Sequence, residues 1–441
     1  MDSKMSKSLL TTATLVTLAS LSQGAGFQIM EQSVSGLGNA FSGAAGADDV
    51  SVMFYNPAGL ARLEGAQSQL DAHYLVLEAF FKNNGSTTTT QAGTTVATTG
   101  GNSGGGFQTP VPSTYFSLPL GSRFTAGLSV NCPFGLGTEY DNGWVGRYMA
   151  LKSEIRTFDV SPALAVKLTD TLSFGAAADF YYIDANLTND IDFNKDGTPL
   201  FDGHADLKAD DTAFGYHMGF QWQATPRTRF GVSYRSQVTT HLSGSANFTL
   251  PEDYLSVLSS IGYGSTANYI RATYADQDVG AELDLPASAS INVYHNLTDK
   301  LDVMADVTWT DWSVFHSLDM DFAIAPTSSQ LENWRDTVRY SAGATYKWSD
   351  SLKIRGGVAF DPAAVRGPEY RTPRIPDAKR FWISTGLNWQ ISQNSFLDFA
   401  YVHIFVDDPE IDNSIHTAGQ HLKGTLEAYM DIISVSYTYC F

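Results

Sequence analysis

The sequence predicts an all-β chain, a transmembrane antiparallel β-barrel of fourteen strands with an N-terminal plug (hatch) inside its lumen. Three observations predict it. Apolar residues alternate with period two over most of the chain, very short turns join the alternating stretches in pairs, and a leading segment rich in small residues does not alternate. Composition agrees: aromatic residues make up 12% of the chain and charged residues only 17%, as expected where an apolar outer surface alternates with a polar lumen. A soluble β-sandwich with alternating aromatics on every strand would expose a large aggregation-prone surface.

At the start, Lys4 and Lys7 precede a moderately apolar stretch from Leu9 to Leu21, and the small residues Ser22 and Gly24 follow at signal-peptidase spacing. Residues 1–24 therefore read as a secretory signal peptide, with Ala25 as the first mature residue. The stretch is Thr-rich and shorter than the roughly 20 apolar residues of a spanning helix. No later run approaches that length, which excludes an α-helical membrane protein.

Residues 25–65 form the expected plug. They include Ala25-Gly26-Phe27-Gln28, Ser35-Gly36-Leu37-Gly38, Ala47-Asp48-Asp49 and Asn56-Pro57-Ala58. Small residues and short turns suit a segment packed within a lumen too narrow for bulky side chains. The bland alternative is a periplasmic tail.

Residues 66–441 supply the wall. Phe158, Val160, Pro162, Leu164, Val166 and Leu168 lead into Thr169-Asp170-Thr171, after which Leu172, Phe174, Ala176, Ala178, Phe180 and Tyr182 continue the pattern. The same device recurs around Gly121-Ser122-Arg123, Thr225-Pro226, Asn296 to Lys300, Ser349-Asp350-Ser351 and Ser392-Gln393-Asn394. Six hairpins give twelve strands; an opening strand near Ser68 to Phe81 and a closing one near Ala428 to Phe441 make fourteen, an even number as bacterial single-chain barrels require. The closing strand ends in an aromatic residue after Ile433, Val435, Tyr437 and Tyr439, the form of signal that barrel insertion machinery reads. Long extracellular loops are expected at 82–113, at the Asp-rich 184–212 and at 239–285. Within the last, Tyr254, Val257, Leu258 and Ile261 fall at helical spacing, a face that either receives a lipophile or caps the barrel.

The net charge of −19 argues against nucleic acid as a partner, and an acidic surface bridges to lipopolysaccharide through divalent cations. Cys132 and Cys440 are expected at opposite ends of the barrel and therefore unpaired. Asp192 to Gly197 has the form of half a calcium loop. The twelfth position is Gly203 rather than a bidentate Glu, so the segment reads as a solvated turn and no metal or cofactor is expected.

Taken in order, the plug segments together with Tyr234-Arg235-Ser236, Trp309-Thr310-Asp311-Trp312-Ser313, Ile375-Pro376-Asp377 and Arg380-Phe381-Trp382 resemble the FadL family of outer-membrane fatty-acid transporters. The resemblance implies a barrel of fourteen strands in the outer membrane of a Gram-negative bacterium, with a hatch whose Ala25, Gly26, Phe27, Asn56, Pro57 and Ala58 serve the ligand; a monomer is expected. It also implies a lateral gap at a kinked third strand, here at Asn131, Pro133, Phe134 and Gly135, where proline cannot donate to a ladder. The implied cargo is a long-chain fatty acid or another lipophile. Asn189 and Asp319 stand where the family's fatty-acid carriers are expected to place basic side chains. Either another cation serves, among Arg147, Arg156, Arg235 and Lys208, or the cargo is an uncharged hydrocarbon.

Two other classes compete. An outer-membrane lipid-modifying enzyme needs a nucleophile beside a base, yet none of the nine histidines adjoins a recognisable nucleophile motif, and the chain is read as a non-enzyme. A general porin is argued against by the plug.

Overall fold

The computed structural model describes residues 26–415 and 419–441; the signal peptide and Ala25 lie outside the described residues. Fourteen antiparallel strands close into a barrel, the first, Gln67–Asn83, pairing with the last, Gln420–Cys440, from Gln67↔Cys440 to Asn83↔Gly424. All six short turns inferred from the sequence join neighbouring strands, as between Lys152–Lys167 and Leu172–Asp192 or between Arg380–Ser392 and Ser395–Val406. Both cysteines are free.

Two bands of outward aromatics frame the wall. Trp222, Phe230, Trp348, Trp389 and Phe441 lie toward the short turns, and Phe214, Tyr234, Tyr340, Phe360, Phe381 and Phe405 lie toward the other end, all exposed on the barrel's outer face. This is the pattern of membrane-interface girdles around an apolar band.

Beyond the upper band the strands continue, and this corrects the expected loops. The segment 184–212 is largely strand, belonging to Leu172–Asp192 and Asp202–Thr225, and the two ends of 239–285 belong to Val238–Thr249 and Gln277–Leu285. In the long strand Asp202–Thr225, outward positions run Asp206, Lys208, Asp210 and then Phe214, Tyr216, Phe220, while inward positions run Ala205, Leu207 and then His217, Gly219, Gln221. The phase of the alternation thus inverts at the membrane boundary. Below it the outer face is apolar for lipid; above it the outer face is polar for water and the lumen is apolar. Within 82–113, Thr87–Thr89, Thr95–Ala97 and Ser103–Gly104 are short strands, and the second wall strand begins at Phe107.

The segment before the first strand is inside the barrel. Its short helices Val34–Gly38 and Val52–Tyr55 and the 3₁₀ turns Ala44–Gly46 and Pro57–Arg62 are almost entirely buried against the inward faces of the strands. Small wall residues make room. A Cβ at Gly175 would stand 2.3 Å from the Pro57 carbonyl carbon, and one at Gly219 would stand 2.4 Å from Asn56 Oδ1.

Candidate functional site

Phe27, the third residue after the expected cleavage point, is fully buried where the plug meets the apolar upper lumen. Its ring centroid lies 5.0 Å from Trp312, 5.5 Å from Phe315, and 6.1 Å from both Phe134 and Trp334, the first two edge-on. Gly26, at φ +62°, permits this box: a Cβ there would come within 2.7 Å of both indoles. The Gly26 N–H donates to Asp377 Oδ1 at 3.2 Å, and Asp377, tied also to Arg380 and to the amides of Ala364 and Val365, fixes the start of the described plug. Ile375-Pro376-Asp377 and Arg380 therefore serve the plug through Asp377.

From the Phe27 box, buried apolar side chains run without interruption through Ile183, Leu207, Leu242 and Leu283 to Met320, with Phe248 and Phe322 packed against them. At the outer end they line a cavity of about 420 Å³ whose polar members include Asn189, Gln330 and Arg374. Its lining is mixed, with Ile191, Leu207, Phe248, Met320 and Phe322 alongside Asp190, Asp192, Lys195 and Arg374, a concave space with convergent polar groups of the kind that binds small molecules.

Beside Phe27 the wall is broken. The third strand runs Phe124–Asn131, stops, and resumes as Gly135–Glu139. Its lower part pairs with the second strand up to Thr114↔Val130, whereas its upper part pairs with the fourth strand alone. Phe107–Ser113 of the second strand thus faces the break with no ladder to the third. The plug supplies what the ladder lacks. Ile29 N–H donates to Pro133 O and Gly135 N–H to Phe27 O, both at 2.8 Å, and the Gln32 side chain donates to Cys132 O at 2.7 Å and accepts from Cys132 N–H at 3.1 Å. Asn131 Nδ2 donates to Tyr115 OH at 2.6 Å. Gly135 opens the resumed strand and pairs with Arg156 of the fourth strand, but like Cys132-Pro133-Phe134 it has no ladder to the second strand.

Asn56-Pro57-Ala58 lies away from the Phe27 box and is an anchor. Asn56 Oδ1 accepts from Ala58 N–H at 3.1 Å, capping the 3₁₀ turn, and Asn56 Nδ2 donates to Phe220 O at 3.1 Å and Val232 O at 3.2 Å on two wall strands. Tyr254, Val257, Leu258 and Ile261 fall on and just after an outer helix, Glu252–Ser260, but Leu255 is its buried residue. Val257 and Ile261 face solvent, and none of the four borders the cavity. A second helix, Gly264–Thr273, carries no clear apolar stripe and escaped the sequence reading; Tyr274 at its end does line the cavity.

The four cations proposed from sequence are all neutralised. Arg147 pairs with Asp202 at 2.7 Å, Arg235 with Asp179 at 2.9 Å and Asp159 at 3.4 Å, Lys208 with Asp206 at 2.8 Å, and Arg156 with Glu154. Asp319 accepts from Ser317 and Ser329 in a short outer hairpin. Asp192 and Asp196 accept from the amides of their own loop, as turn residues do. For an enzyme, Ser434 Oγ does lie 2.7 Å from His73 Nδ1, but both are sealed at 1–2% exposure and His73 Nε2 has no partner to orient the ring.

A plugged barrel of fourteen strands, its third strand interrupted beside an aromatic box, narrows the comparison. The family described as outer membrane protein transport protein (OMPP1/FadL/TodX) matches residues 15–441. The chain belongs to the FadL family. An outer membrane protein of Neisseria meningitidis serogroup B is 30% identical over 100% of this chain and 99% of its own length. The long-chain fatty acid transport protein of Escherichia coli O6:H1 is 26% identical over 86% of this chain and 87% of its own. Among solved structures, a Pseudomonas aeruginosa FadL homologue superposes with a TM-score of 0.84 at 26% identity, covering 95% of this chain and 100% of that one. The Ralstonia pickettii toluene transporter, at 19% identity and a TM-score of 0.62 over 89% and 94%, shares the fold. This FadL-family chain is therefore an outer-membrane transporter of hydrophobic compounds.

Proposed function

We propose that the chain carries long-chain fatty acids across the outer membrane and releases them sideways through the break in the third strand. The observation that carries this reading is the unbroken apolar lane that ends at Phe27 and Phe134, beside a second strand lacking a ladder partner. An acyl chain gains roughly 0.8 kcal/mol per methylene on leaving water, so such a lane draws it in without an energy source. The last step is a displacement of Phe27, Gln28 and Ile29, whose contacts with Pro133, Phe134 and Gly135 bar the way to the break. Hydrogen bonds of this kind contribute about 0.5–1.5 kcal/mol each, small enough for a bound lipophile to offset by refilling the space.

The test is Pro133→Val, which restores a backbone donor and lets the third strand pair past Val130. At equal surface expression, uptake of labelled hexadecanoate should fall severalfold while its binding to the purified protein persists. Unchanged uptake, with a crystal structure confirming a continuous third strand, would overturn the lateral route. An uncharged hydrocarbon is the second reading, favoured by the neutralised Arg147, Arg156, Arg235 and Lys208. Stronger retention of hexadecane than of hexadecanoate would favour it.

A further inference from the structure

Arg374 was not among the cations considered from sequence. It follows Pro373 in the segment between the strands Leu352–Asp361 and Arg380–Ser392, which folds inward over the lumen. Its side chain is 3% exposed and lines the 420 Å³ cavity. Nη1 donates to Ser153 Oγ at 3.1 Å and, at 3.4 Å, to Lys152 O; Nη2 donates to Asn189 Oδ1 at 3.1 Å. Nε has no partner, and among the described residues no carboxylate lies within 4.0 Å of the guanidinium.

Other inward arginines differ. Arg147, Arg235 and Arg355 each lie against carboxylates. Arg339 also has no ion pair among the described residues and leaves Nε and Nη1 unpartnered, but it stacks over Trp382 and donates to Ala40 O in the plug, whereas Arg374 lines the outer cavity. Arg374 is a desolvated cation held by neutral acceptors with one donor unspent, at the mouth of the apolar lane. A buried charge without a counter-ion is costly, and the planar fork of a guanidinium matches a carboxylate bidentately. The neighbouring acids are engaged elsewhere: Asp190 with His204, Asp192 with loop amides, and Glu332, the acid whose charge Arg374 feels, with Gln330 and Trp334.

We propose that Arg374, presented by Asn189 and Ser153, is the anchor for the carboxylate of a monoanionic, long-tailed amphiphile whose tail lies along the lane toward Phe27. Asn189, where a basic residue was expected, thus acts by orienting a cation from another segment. The inference rests on the fatty-acid reading above and adds the residue that makes an acid preferable to a neutral molecule of equal length. Asp190 and Asp192 line the cavity alongside Arg374 and Lys195, a balance of charge that suits one negative headgroup and disfavours a dianionic phosphate.

The experiment compares hexadecanoate with hexadecanol, which share a tail and differ at the head. Equilibrium binding is measured on the purified, detergent-solubilised full-length barrel and on Arg374→Gln and Arg374→Lys. Arg374→Gln should weaken hexadecanoate by about tenfold or more. It should leave hexadecanol within about twofold, and Arg374→Lys should keep part of the preference. Equal effects on both probes, or none on either, would overturn the assignment. Wild-type protein that holds the two equally would overturn the fatty-acid reading itself. A wild-type preference that survives in Arg374→Gln would leave that reading intact and remove Arg374 from it. Should Arg374→Gln fail to fold, judged by loss of heat-modifiable mobility, a crystal structure of the wild type with hexadecanoate decides. A carboxylate within hydrogen-bonding distance of Arg374 supports the anchor, and a headgroup elsewhere overturns it.

Discussion

Glu332 is a single residue with a measurable consequence. It sits in the connection between Ser328–Leu331 and Thr337–Lys347, fully buried, accepting from Gln330 at 2.6 Å and from Trp334 Nε1 at 3.0 Å. Burial pushes its carboxyl up to about 7, against the pull of those hydrogen bonds and of the Arg374 charge. Burial also lowers Arg374, to about 10, which leaves it charged at neutral pH. The folded protein thus holds a proton on Glu332 that the unfolded chain would release near its ordinary 4.5, so this residue's contribution to stability falls as pH rises from there through about 7. A charged Glu332 also opposes a carboxylate at Arg374. Hexadecanoate affinity should therefore rise as pH falls from about 8 to about 6, and Glu332→Gln should flatten that slope relative to wild type. Parallel slopes in titrations of both proteins would mean that Glu332 does not act on the bound headgroup. Neither Glu332 nor Arg374 was legible in the sequence. Nothing in the local pattern around Arg374 shows that its segment folds inward, or that Asn189, 185 residues away, would receive it.

At the scale of elements, the short turns were the most legible feature, because period-two alternation on both arms of a tight turn leaves little choice of partner. The strand extensions above the membrane were misread for a physical reason. In Asp202–Thr225 the outward face changes from Asp206, Lys208 and Asp210 to Phe214 and Tyr216, so charge density there marks water rather than loop. The break in the third strand was legible from Pro133, but the plug residue that repairs it was not, since Gln32 carries no signal beyond being polar in a small-residue segment. The anchoring of the plug gives the prediction for this scale. Asn56→Ala removes a turn cap and two bonds to wall carbonyls, a loss of about 1–3 kcal/mol. Hydrogen exchange at the Ala58 and Gly59 amides should quicken by at least tenfold while wall amides keep their protection. Unchanged exchange would show that packing against Gly175 and Gly219 holds the turn without Asn56.

For the whole molecule, the plug and the wall are separate in kind: strand-to-strand ladders join the first wall strand to the last, and among the described residues the plug adds to them one isolated bridge, Gln28↔Phe134, at the break in the third strand. Deleting residues 25–60 should therefore leave an inserted barrel with an open lumen. Planar-bilayer recordings should show steady ion conductance absent from the full-length protein; a silent, folded deletion variant would mean that other segments seal the lumen.

Cys132 turns the break into something that can be timed. Its thiol is buried, it sits in the interruption itself, and Gln32 covers its backbone. In a Cys440→Ser background, a small maleimide dissolved in the bilayer can reach that sulfur only during the moments when the plug has let go, so the labelling rate counts openings. Adding hexadecanoate should raise the rate several times over, whereas hexadecanedioate, with a charge at each end, should not. A rate indifferent to cargo would mean that the doorway opens by thermal motion alone, and that the passenger merely waits for it.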